Sequence, residues 1–173
     1  EGAAPLELDL LDGLSMLVEH SLVRQREEGG EPRFDMLQVI REYALERLET
    51  RDGGREAEAL RRAHAGYYLV LVEQAEPEFA GPDAAVWLDR LEREHDNLRA
   101  ALNWARERGE VETGLRLVSA SGRFWATRGY LGEGRAWVES MLALESAASD
   151  EQQDQDAGKA RGAGSEESGS ADG

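Results

Sequence analysis

The sequence predicts a mainly α chain in which a short β-hairpin sits among the first helices, an antiparallel helical stack follows, and a disordered tail ends it. Three observations carry this reading. Apolar residues recur at three- and four-residue spacing through most of residues 10–145, which is the stripe of amphipathic helices. The strand signal is confined to the two runs flanking Gly29-Gly30. From Ser146 to Gly173 there is no Val, Ile, Leu, Met, Phe, Trp or Tyr, so that stretch cannot bury enough apolar area to offset its ordering entropy. The expected organisation is residues 1–54, 55–145 and a tail at 146–173.

Each element has its own warrant. Leu10, Leu14, Leu17, Val18 and Leu22 form the first helical stripe. Ser21 to Arg26 and Arg33 to Leu37 then flank "EEGGEP", where two glycines supply a tight reversal and Pro32 stops any helix. Val39, Ile40, Tyr43, Ala44 and Leu48 make the next stripe, ended by "RDGG" at Arg51 to Gly54. Three or four helices are expected beyond it. The first, about Glu56 to Glu78, presents Leu60, His64, Tyr67, Leu71 and Ala75, and closes before Pro77, "AGP" and Asp83. A long second one, about Ala84 to Arg108, carries Leu88, Leu91, His95, Leu98, Leu102 and Ala105 as a narrow seam, with Gly109 as its stop. A third, about Val111 to Thr127, presents Leu115, Val118, Gly122 and Trp125, and Gly129 punctuates it. The fourth, about Leu131 to Glu145, presents Leu131, Trp137, Val138, Met141, Leu142 and Leu144. Such short connections make antiparallel neighbours.

Composition excludes several kinds of function. The 173 residues hold 20 Lys+Arg against 36 Asp+Glu, a formal charge of -16, and no cysteine. Thiol nucleophiles, thiolate metal sites and disulfide scaffolds are closed. The excess acid lies mainly at residues 1–54 (-7) and in the tail (-5), while 55–145 is nearly balanced at -4. Direct nucleic-acid contact is disfavoured, because neutralising phosphates needs clustered cations. Lys159 is the one lysine, and it lies in the tail. No apolar run approaches the roughly 20 residues of a membrane span, so a cytoplasmic protein without membrane contact is expected. The chain opens on Glu1 with no signal-like segment, as a piece of a longer polypeptide would.

Catalytic constellations were sought and not found. Glu92 and His95 have the Glu-x-x-His spacing of di-iron bundles, but no second copy exists, and His64 and His20 lack the carboxylate three residues earlier. The serines stand in expected helices rather than in a Gly-x-Ser-x-Gly elbow, and there is no Gly-x4-Gly-Lys-Ser/Thr loop. No metal, cofactor or enzyme activity is expected within these residues. Two aromatic clusters remain, Trp87 with Trp104, and Phe124, Trp125, Tyr130 and Trp137. Rings at helical spacing are first of all core. The sharper alternative makes Trp104, Phe124, Trp125, Tyr130 and Trp137 the lining of a groove for a peptide or small molecule.

Gly122, Trp125, Gly134 and Val138 stand at the offsets of the small, aromatic, small and bulky positions of a tetratricopeptide repeat, and "GYLGEGRAWVESMLAL" resembles its second half, with Met141 departing from the usual small residue. The ordered combination "LVEHSLVRQREEGGEPRFDMLQVIREYALERL", "RRAHAGYYLVLVEQAEPEFAGPDAAVWLDRLEREHDNLRAALNWARERGE" and "GLRLVSASGRFWATRGYLGEGRAWVESMLAL" is more specific. Over about Leu8 to Leu144 it is similar to the region after the ATPase core in bacterial signal-transduction ATPases of the STAND class, including ATPase regulators of the LuxR and winged-helix types. The resemblance implies that residues 8–50 are the winged-helix element closing a nucleotide module and that 55–145 begin a tetratricopeptide-like sensor. In related ATPases a Met-His-Asp-Leu motif places a histidine on the phosphates of ADP. Here the stretch reads Met36-Leu37-Gln38-Val39, and leucine can neither donate nor carry charge. Arg33 and Arg41 are the neighbouring cations that could substitute.

The function expected is therefore a non-catalytic regulatory and protein-interaction segment of a multidomain bacterial regulator. Its partners would be its own ATPase core and an unidentified protein or small-molecule activator, with ATP or ADP bound by the parent protein and no cofactor in this segment. The alternatives are direct DNA binding by the winged helix and a helical enzyme with an unrecognised metal site.

Overall fold

The computed structural model describes residues 10–166. The chain divides into two compact units, Glu1–Ala59 and Leu60–Gly173, and is mainly helical with one two-stranded antiparallel hairpin.

In the first unit, α1 (Leu10–Glu19) is followed by β1 (Val23–Glu28) and β2 (Glu31–Met36), and then by α2 (Gln38–Thr50). The strands pair Val23 with Met36, Gln25 with Phe34 and Arg26 with Arg33. Gly29 and Gly30 both have positive φ, at 64° and 80°. That is the pair of conformations a two-residue turn needs to match the twist of its strands. α1 ends in a six-to-one and five-to-two pattern of backbone bonds: Leu22 N–H donates to the Leu17 carbonyl at 2.9 Å and Ser21 N–H to that of Val18 at 2.9 Å. The residue turning the corner is Ser21, at φ 58°, where glycine is the usual occupant. Ser21→Gly is accordingly expected to stabilise the unit by about 0.5–1 kcal/mol. Slower amide exchange in α1 and β1 would show it, and unchanged or faster exchange would refute it.

The stripes read from sequence do form helices here, yet they bury little. Neither α1 nor α2 holds a fully buried residue. Leu10, Leu17 and Leu22, expected to face a core, are exposed, as are Val39 and Tyr43 of α2. Val23 and Ala57 are the buried apolar side chains described in this unit.

α3 (Arg55–Glu78) carries the chain across the division, and the second unit continues with α4 (Ala84–Arg93), α5 (His95–Arg108), α6 (Val111–Arg128) and α7 (Leu131–Glu166). Its core is built from Val72 of α3, Leu91 of α4, Leu98 and Leu102 of α5, Leu117 and Phe124 of α6, and Met141 of α7. Two-residue connections at Gly109-Glu110 and Gly129-Tyr130 join α5 to α6 and α6 to α7. Both glycines are left-handed, with φ 69° and 85°, and end their helices where the sequence placed the stops. Between α6 and α7 the backbones approach closely. A Cβ on Gly134 would lie 2.8 Å from Cε3 of Trp125, and one on Gly114 would overlap the Met141 sulfur. Met141, too large for the small position it was compared with, is thus accommodated by a glycine on the facing helix.

Several helix faces and ends differ from expectation. The segment expected as one helix over 84–108 is interrupted at Glu94, whose φ and ψ are -95° and 4°. The Glu94 side chain is buried and accepts bonds from the Tyr68 hydroxyl at 2.8 Å and Asn97 Nδ2 at 2.7 Å, so tertiary partners hold it inward at the break. On α3 the buried face is Ala65, Tyr68, Leu69, Val72 and Ala75 along with Leu71, while Leu60 and Tyr67 are exposed. Pro77 also stands inside the last turn of α3. On α6 and α7, Gly122, Leu131, Val138 and Leu142 face outward, and Trp137, Met141 and Leu144 turn inward. The helical backbone of α7 runs on to Glu166, but none of the side chains described beyond Leu144 is buried, in keeping with a tail that has no large apolar residue to pack. Every side chain from Glu145 to Asp150 is exposed. Residues 167–173 lie outside the described residues.

Candidate functional site

Polar groups of the second unit converge where the end of α4, the start of α5 and the start of α7 meet. His95 opens α5 with its side chain 7% exposed, and its ring lies 5.2 Å from that of Phe124 and 4.4 Å from that of Tyr130. Its Nε2 is 3.2 Å from Oε1 of Glu133. Arg99, one turn along α5, grips the same carboxylate at both oxygens, Nε to Oε1 at 2.8 Å and Nη2 to Oε2 at 2.6 Å, and also donates to Asp96 at 2.9 Å. This two-point hydrogen bonding holds the Glu133 carboxyl below its ordinary value of 4.5, against the opposing effect of its burial. The Arg99 guanidinium is correspondingly held charged.

The Tyr130 hydroxyl donates to Oε1 of Glu92 at 2.5 Å. That bond to a carboxylate, reinforced by desolvation, raises the phenol above 10.0. Arg128 pairs with Asp89 and approaches Glu92 at 3.8 Å. The cluster therefore ties α4 and α5 to the α6–α7 hairpin. Each carboxylate in it faces a cation or a phenol, an arrangement suited to fixing helices against one another. Among the described residues, no group of three His, Asp or Glu side chains is placed to hold a metal ion.

The aromatic candidates fall in two classes. Trp104, Phe124 and Trp125 are buried, and Tyr130 and Trp137 are half-buried at the margin. Arg62 lies over the Trp104 ring and Arg106 over that of Trp137, so one face of each ring meets an arginine of the same unit. The spacing of Glu92 and His95 was visible in the sequence. Their partners Tyr130 and Glu133 were not singled out for that role, since each lies 38 residues from the group it meets.

In the first unit Leu37 is exposed just before α2 and, with Met36, Arg24, Arg26 and Asp35, lines a depression of about 170 Å³. Arg41 borders a separate one of about 310 Å³ with Met36, Gln38, Glu42 and Leu45. Arg33 sits in β2 opposite Arg26. Arg33 and Arg41 thus do not line one depression, and the one that Leu37 lines has Arg24 and Arg26 in its wall, Arg26 paired with Asp35. Strand alternation puts both arginines on one face.

A third depression, also about 310 Å³, lies between α1 and the hairpin, lined by Leu11, Leu14, Ser15, Val18, Glu19, Gln25 and Phe34. Among the described residues no helix is long and apolar enough to cross a membrane.

Over 143 residues, 81% of its length, the chain is 39% identical to proteins named "Putative HTH-type transcriptional regulator" in Mycobacterium tuberculosis (strains H37Rv and CDC 1551) and Mycobacterium bovis. It is thus homologous to a segment of proteins of the transcription-regulator kind. The match takes up 16% of each relative, so the chain spans about one sixth of the length of the curated relatives it matches. No protein-family model matches the chain, and no solved structure matches it significantly.

Proposed function

We propose that this chain is a non-catalytic regulatory and interaction segment of a larger transcription regulator. In this reading residues 8–50 are the winged-helix element that packs on an ATPase core, and residues 55–145 are a tetratricopeptide-like sensor. One observation carries it: the two units differ in completeness. The second buries a contiguous core, while the first leaves most of the apolar stripes of both its helices exposed. Exposed apolar surface of that kind marks an interaction face. The likeness to regulators about six times longer supports a further domain as what it faces. ATP or ADP would then be bound by that domain, with Arg24, Arg33 or Arg41 as the cations near Leu37, and the activator would be a protein or small molecule contacting the helical unit.

Deleting the matching 143 residues from the Mycobacterium tuberculosis relative is expected to abolish its reporter response while leaving operator binding intact. An unchanged response would overturn the reading.

The names of the relatives also favour a second reading, direct DNA binding by this segment. Electrostatics opposes it, since α1 carries Asp12 and Glu19 and neither Lys nor Arg. Labelled duplex mixed with the purified chain is expected to show no salt-sensitive mobility shift, and such a shift would reverse the ranking.

A further inference from the structure

We infer that the groove between α1 and the hairpin is a docking site for a cationic amphipathic helix, a conclusion that rests on the interaction reading above and names its surface. Its floor is apolar. Leu14 and Val18 are half-buried on α1, and Leu11 and Phe34 stand 68% and 43% exposed on its two walls. Leu11, Leu14 and Val18 repeat at three and four residues, the spacing into which the i, i+3, i+4 and i+7 side chains of a second helix interdigitate. A helix of ten residues offers about 15 Å of such surface, enough for two to three turns.

Charge selects the occupant. Asp12 and Glu19 lie along α1, and its last turn holds no basic residue. Glu19 lines the groove itself, at the C-terminal end of the helix, where a cation is favoured. A second copy of this chain would bring the same acidic helix against itself, with like charges opposed. An added β-strand would use the open edge of the hairpin and leave the side-chain groove unfilled. A helix with an apolar stripe and Lys or Arg beside it satisfies both the floor and the rim.

The test uses the 173-residue chain and two synthetic amphipathic helical peptides with the same leucine stripe, one flanked by Lys and the other by Glu. Fluorescence anisotropy gives affinity, and amide shifts of α1 and the hairpin locate the contact. The Lys peptide is expected to bind and to move amides of residues 11–19 and 25–34, while the Glu peptide does not bind. Leu11→Glu is decisive because Leu11 is largely exposed, so the fold tolerates it, and because it adds negative charge. Docking in the groove predicts binding weaker by about tenfold or more, whereas unspecific attraction of a cationic peptide to an acidic chain predicts unchanged or tighter binding and would overturn the proposal. So would shifts confined to other segments, or a concentration-dependent dimer that protects α1. Loss of the reporter response on deletion together with failure of this titration would leave the regulatory reading standing and remove only the docking site.

Discussion

Phe124→Ala is expected to lower the unfolding free energy of the helical unit by about 3–5 kcal/mol. The ring is fully buried on α6, edge-on to His95 and 6.0 Å from Tyr130, so its removal leaves a cavity at the crossing of α5, α6 and α7. Trp125→Ala and Leu98→Ala, buried in the same core, are expected to cost about 2–5 kcal/mol. Leu17→Ala on α1 should change stability by no more than about 0.5 kcal/mol, because that side chain is 38% exposed and lies on a helix with no buried residue. All four tryptophans, Trp87, Trp104, Trp125 and Trp137, belong to the second unit. Their fluorescence in a denaturant titration therefore reports that unit alone. A Phe124→Ala transition that coincides with the parent's would show that the core has been assigned to the wrong helix faces.

The contrast between those two leucine-rich stripes explains what the sequence could convey. The seam of Leu91, His95, Leu98, Leu102 and Ala105 was legible because polar residues separate its members at helical spacing and its partners lie in the same unit. The stripe of α1 was equally legible as a helix and misleading as a core. Amphipathicity says that a helix has a face to bury and leaves open whether this chain supplies the partner. The α3 error has another origin. "AGYYLVLV" is apolar nearly throughout, so several faces satisfy the period, and small Ala65 and Ala75 decide which one the neighbours approach. The break at Glu94 had no local signal, since the Tyr68 hydroxyl that meets its side chain comes from a helix 26 residues earlier. The ends of helices fared better because the determinant is local. Gly109, Gly129 and the Gly29-Gly30 turn are positions where the backbone needs positive φ, and each was placed correctly.

Replacing Glu133 tests whether the polar corner holds the helices together. Glu133→Ala is expected to cost about 1 kcal/mol, from losing the two-point hydrogen bond with Arg99 and the acidic neighbour of the buried His95 ring. The loss stays small because the Arg99 side chain is 42% exposed and water can replace the carboxylate. The pH dependence separates this account from a simple packing defect. Glu133 has a folded-state value below its ordinary 4.5 because Arg99 bonds its ionised form. A depressed value means that the unfolded chain binds the proton more readily. The stabilisation is therefore complete above 4.5 and disappears as pH falls through the lower folded value. Glu133→Gln keeps the shape and removes the charge, so its stability should run below that of the parent at neutral pH and converge with it on the acid side. Tyr130 bears on the opposite limb. Its raised value stabilises the fold below 10.0 and ceases to do so as pH rises past the folded value, a limb that Glu133→Gln leaves in place and Tyr130→Phe deletes. If the parent and Glu133→Gln curves instead stay parallel from neutral pH to the acid limb, the carboxylate is a spacer, and the hold of α5 on α7 must come from the packing of Phe124 and Met141 alone.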